Sequence, residues 1–139
     1  MRVIVGFGND LRGEDGFGVD VIKELQKHTL ANTKLISTFQ LTPELALDLK
    51  EYDEIIFLDA AYSETEHYAL ACNLQKNYSN SSITHHISIF MIVNILNNLY
   101  NHFPKFTVYS MLTNSFENIK SEKEYQKNIK TIVKHIKNL

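Results

Sequence analysis

Two adjacent acids stand inside a glycine-rich turn near the start of the chain. Glu14 and Asp15 follow an apolar strand, Val3–Val5, and lie among glycines spread between Gly6 and Gly18. Glycine lets the backbone take positive φ values and approach other groups closely. The loops at the carboxyl ends of strands are the usual ligand sites of open α/β sheets. The pattern therefore predicts an anionic site at the mouth of a sheet, suited to a cation better than to a phosphate.

An acid and a histidine pair further along could join this site. Asp59 ends the apolar run from Glu54, and this run predicts a buried central parallel strand. Burying a carboxylate there costs free energy unless it is paired, hydrogen-bonded or metal-bound. His85 and His86 follow a polar loop and precede a helix, and imidazole is the commonest metal-binding side chain. Together Asp15, Asp59 and His85 would make an N/O site for a divalent transition metal, with open positions for water or a partner's ligands.

Each of these residues also has a simpler interpretation. Acids at the start of a helix stabilise it by about 0.3–1 kcal/mol, so Glu14 and Asp15 could serve only as helix caps. A histidine before a helix is often structural or solvated. The remaining histidines lie in polar or helical surroundings and are interpreted as surface residues: His28, His67, His102 and His135.

Several other kinds of site are disfavoured by the residues present. A dinucleotide-binding fingerprint requires a third glycine where this chain has Leu11, and two acids would repel a pyrophosphate. The single cysteine, Cys72, excludes an internal disulfide framework and zinc sites built on several thiolates, and its apolar strand predicts an inert thiol. No serine lies in a Gly-x-Ser-x-Gly elbow.

Strands and helices alternate along the chain, which predicts an α/β fold of three layers: a mostly parallel twisted sheet with helices on both faces. Predicted strands cover 3–5, 33–39, 54–59, 68–74 (suited to an edge) and 106–112, with a loop over 75–82. Predicted helices cover 18–27, 87–100 and 122–139, and another opens at Thr42 as N-cap with Pro43 in the first turn. In that helix Leu45, Leu47 and Leu49 are expected to supply apolar surface.

The overall composition is that of one ordinary globular domain spanning residues 1–139. The chain is 44% hydrophobic and 22% charged, with a net charge of −2. This balance gives no support for a nucleic-acid partner. No apolar run reaches the roughly 20 residues that span a bilayer, and Met1-Arg2 leads directly into a strand rather than into a signal sequence. We therefore expect a cytoplasmic protein without membrane insertion, and a monomer.

The chain resembles the hydrogenase maturation proteases, endopeptidases that trim the C-terminal extension from the large subunit of nickel–iron hydrogenases. Four segments carry the resemblance in family order: residues 6–18 (GFGNDLRGEDGFG), 39–45 (FQLTPEL), 56–60 (IFLDA) and 84–88 (THHIS). The first segment is the most specific and the histidine segment is looser. Some branches of the family carry Asp-Gly-Gly-Thr after the second strand, where this chain reads Ser37-Thr-Phe-Gln40.

The resemblance implies a phosphorylase/hydrolase-like fold, an aspartic-type endopeptidase activity, and a catalytic, metal-binding trio of Asp15, Asp59 and His85. It also implies a partner, the hydrogenase large-subunit precursor, whose own nickel the trio would recognise; other divalent cations could occupy the site in vitro. A metal-activated or carboxylate-positioned water would attack the peptide bond. The substitution at Gln40 implies a different way of recognising the substrate there.

Two alternatives fit part of the same pattern. The first is a non-catalytic maturation factor that binds nickel or the nickel-loaded precursor through the same three residues. The second is a metallohydrolase with its own tightly held metal, which the absence of a His-Glu-x-x-His helix disfavours.

Overall fold

A computed structural model describes residues 1–74 and 87–139, and their strands form one five-stranded sheet. The strands are β1 (Arg2–Phe7), β2 (Thr33–Thr38), β3 (Glu54–Tyr62), β4 (Leu70–Leu74) and β5 (Lys105–Thr113), in the spatial order β2-β1-β3-β5-β4. All neighbours are parallel except β4, which pairs antiparallel with β5 at the edge. The predicted mostly parallel α/β fold and the edge position of the fourth strand are confirmed.

Helices cover both faces of the sheet. They are α1 (Phe17–Leu25), α2 (Leu45–Leu49), α3 (Ile87–Leu99) and α4 (Glu122–Lys137). Alternate residues of the central strands point to opposite faces, so that Ile4 and Ile56 pack with α1 and α4, whereas Val5 and Phe57 pack with α2 and α3. The sheet is buried on both sides, as its near-continuous apolar strands predict.

Helix α4 follows its sequence pattern closely. The five residues predicted to face the core are all buried: Tyr125, Ile129, Ile132, Val133 and Ile136. The helix begins after Ser121, whose side chain accepts a hydrogen bond from the Glu124 backbone NH at 3.3 Å, and such caps stabilise a helix by about 1 kcal/mol.

The helix predicted to open at Thr42 is shorter than its sequence suggests. The residues from Thr42 to Glu44 form i→i+3 turns, and α2 begins only at Leu45 with no side-chain cap. Because a five-residue helix presents little surface, it buries Ala46 and Leu49, and Leu47 is exposed. The prediction of Thr42 as N-cap and of Leu47 as apolar packing surface was therefore wrong.

Gly18 allows α1 to lie directly on the sheet. A Cβ at this position would lie 2.1 Å from the Leu58 carbonyl oxygen and 3.0 Å from the Phe7 nitrogen, both of them backbone atoms. We expect Gly18→Ala to lower the free energy of unfolding by about 3 kcal/mol in urea titrations, because this clash outweighs the better helix propensity of alanine. The exposed helical control, Lys123→Ala, should stay within about 0.5 kcal/mol of the wild type. Equal stability of the two variants would contradict this close packing.

Candidate functional site

The candidate site lies at the point where the strand order of the sheet reverses. From β1 the connection through α1 runs to β2 on one side, whereas β3 leads toward β5 and β4 on the other. In open α/β sheets, the crevice outside the carboxyl ends of the two strands at such a reversal is the usual ligand site. Asp15 follows β1 and Asp59 lies on β3, so both predicted acids belong to the two strands that flank this crevice.

Two close backbone contacts shape the loop that carries Asp15. Gly8 has φ +141°, and a Cβ there would lie 2.1 Å from the Asp15 carbonyl oxygen, so only glycine fits. The Asn9 backbone NH donates to Asp15 Oδ2 at 3.0 Å. A 3-10 turn, Gly13–Gly16, then leads into α1. The loop therefore holds the half-buried carboxylate of Asp15 in a defined position.

Asp59 lies one residue beyond the last β1–β3 pair, level with Phe7, the last residue of β1. Strand β3 continues to Tyr62 because β5 pairs with it over that whole length, so the prediction that Asp59 ends its strand was wrong. Its side chain is 5% exposed and accepts a hydrogen bond from the Ser110 hydroxyl of β5. By strand alternation it faces the same side as Phe57, the side of α2 and α3.

Asp15 lines an open cavity of about 330 Å³ on that same side of the sheet. The cavity is bounded by the ends of β1 and β2, by the segment after β2 and by the first turn of α3, which contributes Ser88. Its described lining residues are Phe7, Gly8, Asn9, Arg12, Asp15, Phe39, Gln40, Leu41 and Ser88. Arg12 at its rim is exposed and forms an ion pair with Glu117.

His85, the third predicted member of the site, lies outside the described residues, as do His86 and the predicted loop 75–82. Within residues 1–74 and 87–139, no three His, Cys, Asp or Glu side chains are grouped closely enough to hold a metal ion. The structure thus has Asp15 in the turn after β1 and Asp59 within the neighbouring strand β3, and the complete trio stays a prediction.

Glu14 has a different environment from its neighbour Asp15. The side chain of Glu14 is fully buried and accepts hydrogen bonds from His67 Nε2 at 2.7 Å, from Thr113 Oγ1 at 2.5 Å, from the Tyr68 hydroxyl and from the Lys120 backbone NH at 3.2 Å. These donors come from the β3–β4 connection, the end of β5 and the segment before α4. Glu14 therefore ties the first loop to three distant parts of the chain, which is more than a helix cap does.

The two rings beside Glu14 reinforce this buried network. The rings of His67 and Tyr68 stack with centroids 3.9 Å apart. Tyr68 takes a φ of +65°, and its hydroxyl also accepts a hydrogen bond from the Ser121 backbone NH at 2.6 Å. Burial and the adjacent Glu14 raise the pKa of the Tyr68 phenol to about 12, which keeps it protonated as a donor. The prediction of His67 as a surface residue was wrong, because its ring is hydrogen-bonded to the buried carboxylate of Glu14.

The free energy of unfolding should depend on pH in the acid range because of the hydrogen bonds to Glu14. Burial alone would raise the pKa of Glu14, but the hydrogen bonds from Thr113, Tyr68, His67 and Lys120 outweigh it and lower the pKa below its usual value. A carboxyl with a lowered folded-state pKa stabilises the fold above its ordinary pKa, and this contribution is lost as the pH falls through the folded value. We expect the difference in free energy of unfolding between wild type and Glu14→Gln to become smaller as pH falls from about 6 to about 3. A constant gap in urea titrations across this range would contradict the assignment.

The environment of Cys72 also differs from its predicted one. Cys72 is exposed on the edge strand β4, opposite Tyr109 of β5. Partial burial nevertheless raises the pKa of the thiol, although a hydrogen bond to Tyr109 opposes the shift. A raised thiol pKa disfavours the thiolate, so Cys72 remains a poor nucleophile.

Sequence reasoning missed three contributors to the site region: Ser110, Thr113 and the role of Phe39 as a cavity wall. Ser110 and Thr113 are buried polar residues within a strand that is otherwise mostly apolar. Such residues must find hydrogen-bond partners, so the sequence signal was present, although it did not identify the partners. Phe39 begins one of the segments that carry the family resemblance, but the sequence does not show that it lines a cavity, since isolated exposed apolar residues are common.

Comparison with known proteins identifies the fold. No protein-family model matches the chain, and no curated protein matches it in sequence. The chain superposes on the hydrogenase maturating endopeptidase HybD from E. coli with a TM-score of 0.80 at 17% identity, covering 97% of this chain and 88% of that one. A NiFe hydrogenase maturation protease HybD from Thermococcus kodakarensis gives a TM-score of 0.80 at 13% identity, covering 99% and 97%.

A third solved structure, the hydrogenase 2 maturation peptidase from Thaumarchaeota archaeon SCGC_AB-539-E09, is 22% identical and gives a TM-score of 0.69, covering 97% of this chain and 94% of that one. The chain therefore has the fold of the hydrogenase maturation endopeptidases over nearly its whole length, as the resemblance of its motifs implied. No helix within residues 1–74 and 87–139 is long and apolar enough to cross a membrane.

Proposed function

We propose that this protein is a processing endopeptidase that removes the C-terminal extension of a nickel–iron hydrogenase large-subunit precursor. The observation that supports the proposal is that Asp15 follows β1 and Asp59 lies on the adjacent parallel strand β3, in a fold shared with named maturation endopeptidases. This placement agrees with motif segments that the sequence carries in family order.

The nickel ion belongs to the substrate in this proposal. Asp15, half-buried at the cavity wall, and Asp59, 5% exposed and oriented by Ser110, supply carboxylate oxygens. His85, which stands two residues before α3 in the sequence, would supply an imidazole nitrogen. A mixed oxygen and nitrogen donor set suits a borderline divalent ion and leaves positions for the ligands that the precursor already provides. The donor chemistry therefore fits a substrate-held nickel.

Recognition of nickel would position one peptide bond for hydrolysis. The bound metal polarises groups close to it, and the carboxylates of Asp15 and Asp59 can hold and orient a water molecule. In the reaction the water oxygen bonds to the carbonyl carbon and gives up a proton, the carbon–nitrogen bond breaks, and the departing amine takes up that proton, which leaves a new C-terminal carboxyl group. Because the trio would recognise the metal, cleavage would follow nickel insertion and not precede it.

A processing assay tests this function. Purified protein is mixed with a hydrogenase large-subunit precursor prepared with and without nickel, and the release of a C-terminal peptide is followed by mass spectrometry. We expect release from the nickel-loaded precursor only. Binding without release would indicate the non-catalytic maturation factor instead, and equal cleavage of both precursors would exclude nickel recognition.

Metal analysis separates this proposal from a conventional metallohydrolase. If nickel arrives with the substrate, freshly purified protein should contain much less than one metal ion per chain. Stoichiometric metal that survives purification would favour the metallohydrolase and count against a substrate-held ion.

A further inference from the structure

The cavity beside Asp15 has an apolar wall and a polar wall. Phe7, Phe39 and Leu41 form the apolar wall, and Phe39 is 65% exposed although it lines the cavity. Leu41 is buried among the core residues next to α2, so the wall continues from the core to the surface. The uncharged polar residues of the lining are Asn9, Gln40 and Ser88.

Away from Asp15, whose carboxylate belongs to the candidate metal site, the lining favours an uncharged side chain. Among the described lining residues only Arg12 and Asp15 are charged, and Arg12 is paired with Glu117. The segment after β2 places the uncharged pair Phe39-Gln40 at the cavity. A volume of about 330 Å³ is at the small end of ligand sites, which suits one or two side chains of a peptide better than a large cofactor.

We propose that this cavity is a specificity subsite that binds an extended peptide and takes one bulky apolar side chain of it against Phe39. The subsite rests on the proposed function in one respect: Asp15 lines the same cavity, so a peptide seated there lies next to the candidate catalytic carboxylate. The Asn9 side-chain oxygen accepts a hydrogen bond from the Leu11 backbone NH at 3.0 Å, which leaves the Asn9 amide NH₂, the Gln40 amide and the Ser88 hydroxyl as groups of the kind that pair with a peptide backbone. The apolar wall then selects the side chain.

A second exposed phenylalanine provides a matched control. Phe103 is 69% exposed, close to the 65% of Phe39, but it precedes β5 and so belongs to the amino edge of the sheet, away from the cavity. Substituting either residue removes a similarly exposed aromatic ring. Only Phe39→Ala removes a wall of the proposed subsite.

An NMR titration with capped pentapeptides tests the proposal without any cleavage. The probes are Gly-Gly-Leu-Gly-Gly and Gly-Gly-Glu-Gly-Gly, and the readout is the backbone amide shifts of the full-length protein. We expect the leucine peptide to shift amides within 7–12 and 39–41, and to bind about tenfold more tightly than the glutamate peptide. Phe39→Ala should weaken leucine-peptide binding about tenfold, Phe39→Leu should restore most of it, and Phe103→Ala should leave it unchanged.

The outcomes separate this inference from the proposed function. Equal binding of the two peptides, shifts confined to other surfaces, or an unchanged affinity in Phe39→Ala would overturn the subsite. Because the probes contain no nickel and no bond that must be cut, these results do not depend on processing activity. Retained leucine preference with no precursor cleavage would overturn the endopeptidase assignment and leave the subsite standing.

Discussion

Asp15→Asn and Asp59→Asn should each slow processing of nickel-loaded precursor by at least about 100-fold while the protein stays folded. Each substitution keeps the shape of the side chain but removes the charge that a metal-bound site requires. Asp15 lines the cavity at the end of β1, and Asp59 on β3 accepts a hydrogen bond from the Ser110 hydroxyl on β5, so neither change opens the core. Single-turnover cleavage, with circular dichroism to verify folding, measures the effect.

A neighbouring acid provides the control for this experiment. Asp10 lies in the same loop as Asp15, but its carboxylate forms an ion pair with Lys23 at 3.0 Å near the surface, and exposed pairs contribute little to stability. Asp10→Asn should therefore process precursor within about twofold of the wild-type rate. His85→Ala should behave like Asp15→Asn if the trio acts as one unit. Normal processing by Asp15→Asn would count decisively against the assignment.

Glu14→Ala should lower the free energy of unfolding by about 3–5 kcal/mol, a large fraction of the stability of a domain this size. The truncation leaves the donors from His67, Tyr68, Thr113 and Lys120 without their shared acceptor. Buried donors without partners are costly, and hydrogen bonds to a charged group are among the stronger ones. Urea denaturation monitored by circular dichroism gives the value.

A milder substitution keeps the Glu14 prediction measurable if the alanine variant fails to fold. Glu14→Gln retains one acceptor oxygen and should cost about 2 kcal/mol, because the charge and two acceptor sites are lost. Glu51→Gln, at an exposed position, should change stability by no more than about 0.5 kcal/mol. If Glu14→Gln were as stable as Glu51→Gln, the four hydrogen bonds to Glu14 would not stabilise the fold as described.

The parts of the fold that local patterns determine were predictable from the sequence. Helix α4 repeats apolar residues at helical spacing over 16 residues, and its five apolar buried residues were each predicted, whereas the buried Asn128 was not. Helix α2 has only five residues, and its start depends on how the turn from Thr42 packs rather than on the presence of a capping residue. The end of β3 depends on its pairing with β5, which no local pattern shows.

The candidate site likewise has parts that the sequence predicts and parts that depend on contacts between distant residues. Alternating strands and helices predict parallel strands, and the structure has Asp15 in the loop after β1 and Asp59 on the neighbouring parallel strand β3. The hydrogen-bond partners of Glu14 lie 53, 54, 99 and 106 residues away along the chain, and only the folded structure brings them together. For this reason the buried Glu14 network, and with it the inward position of His67, could not be read from the sequence.

The most direct measurement is a crystal structure of the protein soaked with Ni²⁺ or Cd²⁺, with the ion located by its anomalous scattering. We expect a single ion between β1 and β3, about 2.0–2.5 Å from each of three ligand atoms. These are a carboxylate oxygen of Asp15, a carboxylate oxygen of Asp59 and a ring nitrogen of His85. An ion bound elsewhere, or these three side chains too far apart to reach one ion, would contradict this expectation.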